Sequence, residues 1–260
     1  MTNALHGARI LVTRPAAQAD NLCQLIASRG GFPWRFPTLE ISANSPEPTV
    51  LLNAQRCDWL IFTSSNAVDF AIKAFNGKMP RFDGTKIAAV GEATARALTD
   101  ANWPVDCVPV SEFSSEGLLA EPALQAISGQ QCVIVRGVGG RDKLEQGLRA
   151  RGASVTYLEV YRRQQPKADS QALENALAAK TLDAITITSV EALQNLLAML
   201  SSEAQQLIRT LMLVVASERI GETAAQIGFK HIVVSAKPTD SEILETLTTL
   251  FNGENSGRRN

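Results

Sequence analysis

The sequence predicts an α/β protein built on parallel sheets. Short runs of β-branched and apolar residues alternate along the chain with helical patterns of roughly ten residues or more. The predicted strands are apolar on both faces, as expected of a parallel sheet that helices cover on both sides. Short segments also recur in the same order in both halves of the chain, which predicts two similar domains.

The predicted elements follow one another regularly. In the first half, strands are predicted at residues 8–13, 58–63, 86–91 and 105–109, and helices over 17–28, over about 66–75, from Glu92 and from about Glu116. Gly30 and Gly31 are expected to end the first helix. In the second half, strands are predicted at 132–136, 154–163, 184–188, 211–216 and 231–235.

Three pairs of segments make up the internal repeat. SSEGLL at 114–119 corresponds to DSEILE at 240–245, and IFTSSNAV at 61–68 corresponds to ITITSVEAL, which pairs Thr63 with Thr188 and Ser64 with Ser189. SRGG corresponds to ARGA, which pairs Arg29 with Arg151. The offsets of 122 to 126 residues predict two similar halves near 8–125 and 131–250. Residues 42–48 and 162–169 are predicted to be linkers at which the chain crosses between two domains.

Composition excludes several functions. Because 25 Lys and Arg balance 26 Asp and Glu, the chain has no general electrostatic footprint for nucleic acid. No apolar run approaches the roughly 18 residues that span a membrane. The N-terminus lacks the features of a signal peptide, so we expect a cytoplasmic protein. The polar segment GENSGRR near the C-terminus, with Arg258 and Arg259, is expected to be a solvated tail.

Cysteine and histidine are few and scattered. The four cysteines form no CxxC pair and are expected to be buried, reduced thiols: Cys23, Cys57, Cys107 and Cys132. His6 and His231 are far apart and have no metal-ligand spacing around them. These patterns disfavour a zinc site and a hydrolase with histidine as its base.

Polar residues gather where the predicted strands end. Ligands of an open parallel sheet bind outside the carboxyl ends of its strands, where free N–H groups and positive helix ends suit carboxylate or phosphate. The candidates at these positions are Arg14, Thr63, Ser64, Gly91, Ser115, Arg136, Gly137, Thr188, Ser189, Ser217 and Arg219. The alternative is that the hydroxyl residues only cap helices, as residues 239–242 (TDSE) are expected to do.

The glycine-rich segment RGVGGRD at 136–142 does not fit a dinucleotide site. A GxGxxG motif that starts at Gly137 requires glycine where Asp142 stands, and the chain contains no GxxxxGK motif. A Rossmann cofactor site and a P-loop are therefore disfavoured.

Tyr157 and Tyr161 are the two tyrosines, and both lie in the predicted strand SVTYLEVYRR. Because they are an even number of residues apart, they are expected to share one face of the sheet. Tyr161 is expected near the second linker, where a phenol could donate a hydrogen bond or act as a weak acid. A half-buried aromatic residue at a hinge is the alternative.

An ordered set of motifs runs through the chain: TRP at 13–15, TSSNAV at 63–68, VGEATA at 90–95, SEGLL at 115–119, RGVGGR at 136–141 and the EVYRR strand. Together they resemble the uroporphyrinogen-III synthase family, over about residues 8–250. In the second half, TSVEAL and ASERIGETA depart from the more regular TSxNAV and VGxxTA forms of the first.

The resemblance implies a bilobed architecture of two flavodoxin-like parallel-sheet domains with the active site between them. Residues 1–36 with 168–260 would form one domain and 42–160 the other, with 37–41 and 161–167 as a two-stranded connector. It also implies an enzyme, a lyase of tetrapyrrole and heme biosynthesis, that dehydrates and cyclises hydroxymethylbilane with inversion of ring D. No metal or organic cofactor is implied.

By the same resemblance, Tyr161 would donate to the leaving hydroxyl, and the polar candidates above would bind substrate carboxylates. A monomer is expected, with transient contact to the preceding pathway enzyme as a further interaction. Two other classes remain open: a non-catalytic two-lobed module that binds an anion or a tetrapyrrole, and a nucleotide-dependent transferase, which the broken glycine pattern disfavours.

Overall fold

A computed structural model describes residues 4–77 and 84–257. The chain divides into two compact units, which we call unit 1 (Met1–Glu40 with Gln164–Asn260) and unit 2 (Ile41–Arg163). The predicted domain limits, 1–36 with 168–260 and 42–160, and the predicted connector, 37–41 and 161–167, stay predictions.

The described residues form ten strands and eleven α-helices, with short 3₁₀ turns at Ala16–Gln18 and Pro122–Leu124. The strands are β1 (Arg9–Val12), β2 (Phe32–Arg35), β3 (Glu40–Ala43), β4 (Trp59–Phe62), β5 (Lys86–Ala89), β6 (Gln131–Gly137), β7 (Ser154–Gln164), β8 (Ala184–Ile187), β9 (Met212–Val215) and β10 (His231–Val234). The helices are α1 (Asp20–Ser28), α2 (Pro48–Ala54), α3 (Ser65–Ala74), α4 (Glu92–Asp100), α5 (Ser115–Ala120), α6 (Lys143–Ala150), α7 (Gln171–Ala178), α8 (Val190–Ala198), α9 (Ser202–Ile208), α10 (Glu218–Gln226) and α11 (Asp240–Gly257).

Unit 1 contains a five-stranded parallel sheet in the order β10-β9-β8-β1-β2. Numbered along the chain within the unit, this is the order 2-1-3-4-5 of flavodoxin-like folds. Its central strands β1, β8 and β9 are short and mostly apolar, and they lie in one buried cluster with the inner sides of the surrounding helices. The predicted α/β class is confirmed here.

Unit 2 contains a second five-stranded sheet, in the order β3-β7-β6-β4-β5. The β5–β4, β4–β6 and β6–β7 pairs are parallel. Successive residues of β4 alternate between two buried clusters, one on each face of the sheet. Helices therefore cover both faces, as the apolar strands predicted.

Corresponding strands of the two sheets pair in the same register. In unit 2, Ile61 of β4 pairs with Ile134 of β6, and in unit 1 the corresponding residues Thr186 and Val12 pair. The repeat near 8–125 and 131–250 is thus visible in both sheets. Each unit nevertheless combines elements of both repeats, because β1 and β2 join a sheet whose other strands follow residue 180.

Some boundaries differ from the prediction. The strand predicted at 105–109 is reduced to one bridge, between Cys107 and Ala88, because Pro104 and Pro109 on either side cannot donate to a strand ladder. The linker predicted at 42–48 begins inside β3 and reaches the first residue of α2, and the one predicted at 162–169 begins inside β7.

The structure also defines the helix limits at both ends of the chain. The first helix begins at Asp20 rather than residue 17, after a 3₁₀ turn. The predicted tail is helical as far as Gly257, while Arg258 and Arg259 lie outside the described residues. The capping role of Thr239 is confirmed, since its hydroxyl accepts a hydrogen bond from the Glu242 N–H at 3.4 Å.

All four cysteines are free and buried, as predicted. Among the helices in the described part of the chain, none is long and apolar enough to cross a membrane.

Candidate active site

The carboxyl edge of the unit 2 sheet brings five of the predicted residues together. Where β4 runs into α3, the Thr63 hydroxyl donates to the Val135 carbonyl at 3.1 Å, which links this turn to β6. Ser64 caps α3, and its Oγ accepts the Ala67 N–H at 3.1 Å. Ser64 Oγ also lies 3.2 Å from the hydroxyl of Tyr161. The capping alternative is therefore correct for Ser64, but capping does not account for its contact with the tyrosine.

A bulge in β7 places Tyr161. Arg136 pairs with Glu159 and Gly137 pairs with Tyr161, so Val160 is an extra residue with no partner on β6. Val160 and Tyr161 consequently face the same buried cluster, whereas Tyr157 packs against the cluster on the opposite face. The prediction that the two tyrosines share a face is wrong, because it assumed regular alternation.

The ring of Tyr161 is closely enclosed. A Cβ atom at Gly137 would lie 2.6 Å from two of its ring carbons, and the ring of Phe70 packs against it with centroids 5.6 Å apart. Tyr161 is 4% exposed. Phe70 was missed by sequence reasoning, although its place on the same helix as the Ser64 cap is a signal that could have found it.

Arg136 lies at the end of β6 and is buried. Its guanidinium stacks 4.5 Å above the ring of Tyr157, Nε donates to the Gly137 carbonyl at 3.2 Å, and Nη1 lies 3.5 Å from Asp142 Oδ1. The last distance is long for an ion pair and leaves the guanidinium loosely neutralised.

Tyr157 connects Arg136 to carboxylates on the following loop and helix. Its hydroxyl donates to Glu145 Oε2 at 2.7 Å and also lies 3.2 Å from Asp142 Oδ1. Burial, and then the hydrogen bond to Glu145, raise the pKa of Tyr157. The same hydrogen bond, together with Arg149, lowers the pKa of Glu145. Tyr157 therefore stays a neutral donor that supports the guanidinium.

Two other predicted residues of unit 2, Gly91 and Ser115, make no contact with this group that the structure shows among its described residues. Gly91 caps α4 with extended backbone, and a Cβ atom there would be 3.4 Å from Cβ of Phe113. At α5 the capping residue is Ser114, whose Oγ accepts the Gly117 N–H at 3.0 Å. Within the described part of the chain, Ser115 makes no side-chain hydrogen bond. Phe113, which the sequence did not single out, is 54% exposed at this edge.

The carboxyl edge of the unit 1 sheet contains a cavity of about 470 Å³. Thr188 and Ser217, both predicted, line it where β8 and β9 end, and Ser235 lines it after β10. Ser217 occupies the capping position of α10 but makes no capping hydrogen bond, so its exposed hydroxyl is available to a ligand. Ser235 was missed, although the rule that selects residues after strands applies to it equally.

The other predicted residues of unit 1 are placed differently. Ser189 caps α8 by accepting the Ala192 N–H at 3.0 Å, and Arg219 is exposed on α10 without lining the cavity. Arg14 forms an ion pair with Asp240 at 2.6 Å. Asn21 holds the other oxygen of that carboxylate at 2.6 Å, so the charge of Arg14 is already neutralised by fixed groups.

These edges offer hydrogen-bond donors, one buried guanidinium and a phenol, and one carboxylate, Glu218, also lines the unit 1 cavity. Burial raises the pKa of the cysteine thiols, to about 12 for Cys57 and about 11 for Cys132, which makes them poor nucleophiles. Among the described residues, no three His, Cys, Asp or Glu side chains are grouped as metal ligands. The arrangement suits the binding of a polyanion and the donation of a hydrogen bond to it.

Comparison with known proteins identifies the family. The family model for uroporphyrinogen-III synthase HemD matches residues 20–245. A uroporphyrinogen-III synthase of Escherichia coli K12 is 32% identical over 246 residues, which cover 92% of this chain and 99% of that protein. A putative uroporphyrinogen-III synthase of Methanothermobacter thermautotrophicus is 31% identical over 207 residues, 77% of this chain and 81% of that one.

Two solved structures share the fold. A mutant uroporphyrinogen III synthase of Thermus thermophilus matches with a TM-score of 0.64 at 20% identity, over 95% of this chain and 100% of that one. A uroporphyrinogen-III synthetase of Helicobacter pylori 26695 matches with a TM-score of 0.62 at 17% identity, over 94% and 99%. The match of the family model and the near-complete alignment with the Escherichia coli relative lead to one conclusion: the chain belongs to the uroporphyrinogen-III synthase family.

Proposed function

We propose that the chain converts hydroxymethylbilane into uroporphyrinogen III. The reaction removes the terminal hydroxyl as water, inverts ring D through a spiro intermediate and closes the macrocycle. The observation that carries this proposal is the alignment with the Escherichia coli enzyme over 99% of that protein. The reaction is that of a lyase, in the biosynthesis of tetrapyrroles.

The chemistry of the substrate agrees with the groups at both sheet edges. Hydroxymethylbilane carries eight carboxylates, and the electron-rich pyrrole itself drives the loss of hydroxide. The protein must therefore position a flexible polyanion so that ring D reacts at its substituted carbon, a task of orientation and electrostatic stabilisation. Hydroxyls, N–H groups at helix starts and a buried guanidinium supply that stabilisation.

Different side chains bind the substrate and donate a hydrogen bond to it. The Tyr161 phenol donates a hydrogen bond to the departing hydroxyl. Arg136, with its loosely held counter-ion, binds a substrate carboxylate, and so do Thr188 and Ser217 at the unit 1 cavity. Arg14 contributes less, since Asp240 neutralises it.

The substrate also presents four pyrrole rings, which need apolar contacts. Phe113, on the loop before α5, is 54% exposed, and Val138, on the loop after β6, is 50% exposed. Ligand pockets are lined mostly by apolar and aromatic side chains, with a few polar groups that fix the orientation of the ligand. We assign Phe113 to packing against a pyrrole ring.

The protein is further proposed to act in the cytoplasm as a monomer, without a metal or organic cofactor. Free, buried cysteines are typical of proteins from a reducing compartment, which supports the location.

The test is a product assay. Hydroxymethylbilane is incubated with and without purified protein, the products are oxidised, and the uroporphyrin isomers are separated. Predominantly isomer III is expected. Isomer I at the uncatalysed level would overturn the proposal and favour a binding module on the same fold, and a micromolar affinity for a nucleotide would favour the transferase.

A further inference from the structure

We propose that Ser64 is a positioning residue, whose hydroxyl holds the phenol of Tyr161 so that the phenolic proton points at the substrate. This inference rests on the proposed function. It also changes the role of Ser64, which the sequence indicated as a ligand for a substrate carboxylate.

The hydrogen bonds around Ser64 Oγ are compatible with this direction, in which Ser64 donates to the phenol. The hydroxyl accepts the Ala67 N–H at 3.1 Å, because Ser64 caps α3. Its own proton is then available to the Tyr161 oxygen, 3.2 Å away. A hydroxyl has one proton and two acceptor sites, so a phenol that accepts from Ser64 keeps its own proton for another acceptor. If Tyr161 donated to Ser64 instead, the phenolic proton would be engaged by Ser64 and would not be available to the substrate.

The remaining contacts of Tyr161 fix its ring but not its hydroxyl proton. Gly137 and Phe70 enclose the ring, and the bulge at Val160 sets the side of the sheet on which it lies. In the described part of the chain, Ser64 is the hydrogen-bond partner found for the Tyr161 hydroxyl. The orientation of the proton therefore depends on Ser64.

The repeat provides an internal comparison. Ser189 stands at the position of Ser64 and caps α8 in the same way, accepting the Ala192 N–H at 3.0 Å. The offset that pairs Arg29 with Arg151 places Leu39, not a tyrosine, at the position of Tyr161. Among the described residues the Ser189 proton has no acceptor, so it is Ser189 that is available to a substrate carboxylate.

Turnover of four variants tests the proposal. Ser64→Ala is expected to lower kcat roughly ten- to hundred-fold with KM changed less than about twofold, since the loss falls on a proton-donating group. Ser64→Thr, which keeps the hydroxyl, should restore most of the rate. Tyr161→Phe should lower turnover without abolishing it, and adding Ser64→Ala to Tyr161→Phe should cause no further loss, because the two residues act as one unit.

The matched control is Ser201→Ala. Ser201 caps α9 through the Ala204 N–H at 3.3 Å and donates to Glu174 Oε2 at 2.8 Å, so its loss removes a helix cap and one hydrogen bond, neither of which involves Tyr161. We expect a lower Tm with unchanged kcat. Ser189→Ala should instead raise KM with kcat unchanged. If Ser64→Ala lowers kcat by the same factor in the wild type and in the Tyr161→Phe variant, the proposal is overturned.

A second measurement is independent of activity. With tyrosine labelled at Cζ by carbon-13, the protein gives two NMR resonances, which Tyr157→Phe assigns. Ser64→Ala should shift the Tyr161 resonance and Ser201→Ala should leave it in place. An unmoved resonance would overturn the positioning role even in an active enzyme, whereas wild-type protein that forms no isomer III would overturn the proposed function and leave this result standing.

Discussion

Gly137 and Tyr161 occupy paired positions on β6 and β7, and the tyrosine ring fills the space above the glycine. A Cβ atom at residue 137 would be 2.6 Å from ring carbons Cε2 and Cζ, well inside van der Waals contact. The absence of a side chain at residue 137 therefore determines where the phenol lies. At Gly91, the other predicted glycine at this edge, a Cβ atom would be 3.4 Å from Phe113 Cβ, which is ordinary van der Waals contact.

Gly137→Ala is expected to displace the ring of Tyr161. Overpacking of this kind costs about 1–3 kcal/mol of stability, and the displaced phenol should lower kcat roughly ten-fold or more. Gly91→Ala, whose new Cβ atom would meet Phe113 at 3.4 Å, should have a smaller effect on both quantities. Thermal unfolding measures the loss of stability in each of the two variants, and steady-state kinetics measures the loss of kcat. Equal effects of the two substitutions would contradict the assignment.

Arg136→Gln should weaken substrate binding. A hydrogen bond to a charged group contributes about 1.5–3 kcal/mol, so KM is expected to rise roughly ten- to hundred-fold. Arg136→Lys should recover only part of this, because lysine loses the stacking on Tyr157 and the planar pair of donors. Arg96→Gln, which removes an exposed arginine paired with Glu92, is the control and should leave KM unchanged. An unchanged KM in Arg136→Gln would remove Arg136 from the binding site.

Phe113→Ala should raise KM with little loss of stability, since the side chain is exposed. An aromatic contact contributes about 0.5–1.5 kcal/mol, which corresponds to a roughly two- to ten-fold change. Phe32→Ala removes an aromatic side chain that is 63% exposed on β2 of unit 1 and serves as the control. If both variants raise KM equally, Phe113 has no specific contact with the substrate.

Stability should fall in acid partly through Glu174. Its carboxylate accepts hydrogen bonds from the backbone and side chain of Ser201, at 2.9 and 2.8 Å, and these bonds lower the pKa of Glu174. A pKa that is lower in the folded state stabilises the protein above the unfolded pKa, and this stabilisation is lost as the pH falls through the folded value. Glu174→Gln should therefore lower Tm at pH 7, by an amount that shrinks below about pH 4.5.

Urea unfolding across the acid range measures this linkage. The control is Glu222→Gln, since Glu222 is exposed in the middle of α10. This variant should show the same fall in the free energy of unfolding below neutral pH as the wild type. A constant difference between Glu174→Gln and the wild type at every pH would show that protonation of Glu174 is not coupled to folding.

Much of the fold could be predicted because strand and helix signals agree locally. Apolar runs such as 59–62 and 184–187 are buried on both sides, and each is followed directly by a hydroxyl residue and then by one that caps a helix. The weak point was the strand at 105–109. Only a single bridge to β5 forms there. The length of a strand depends on its tertiary contacts and here on the flanking prolines, which the pattern of valines does not reveal.

The candidate site was predictable in position but not in contacts. The rule that ligands bind after parallel strands selected Ser64, Arg136 and Thr188. It could not show that Arg14 is neutralised by Asp240, because that pair joins residues more than 220 positions apart. The prediction also assumed that β7 alternates regularly, and one extra residue at Val160 moved Tyr161 to the other face.

The division of the chain has a consequence for synthesis on the ribosome. Unit 2 is one continuous stretch, whereas β1 of unit 1 needs its neighbour β8, which emerges only after all of residues 41–163. Domains generally fold as units during synthesis, and contacts between distant segments form late. We therefore expect the N-terminal β1–α1–β2 segment to remain without its partner strand β8, with apolar residues exposed to solvent, while unit 2 completes its sheet. Chaperone dependence of the nascent chain should be greatest in that interval.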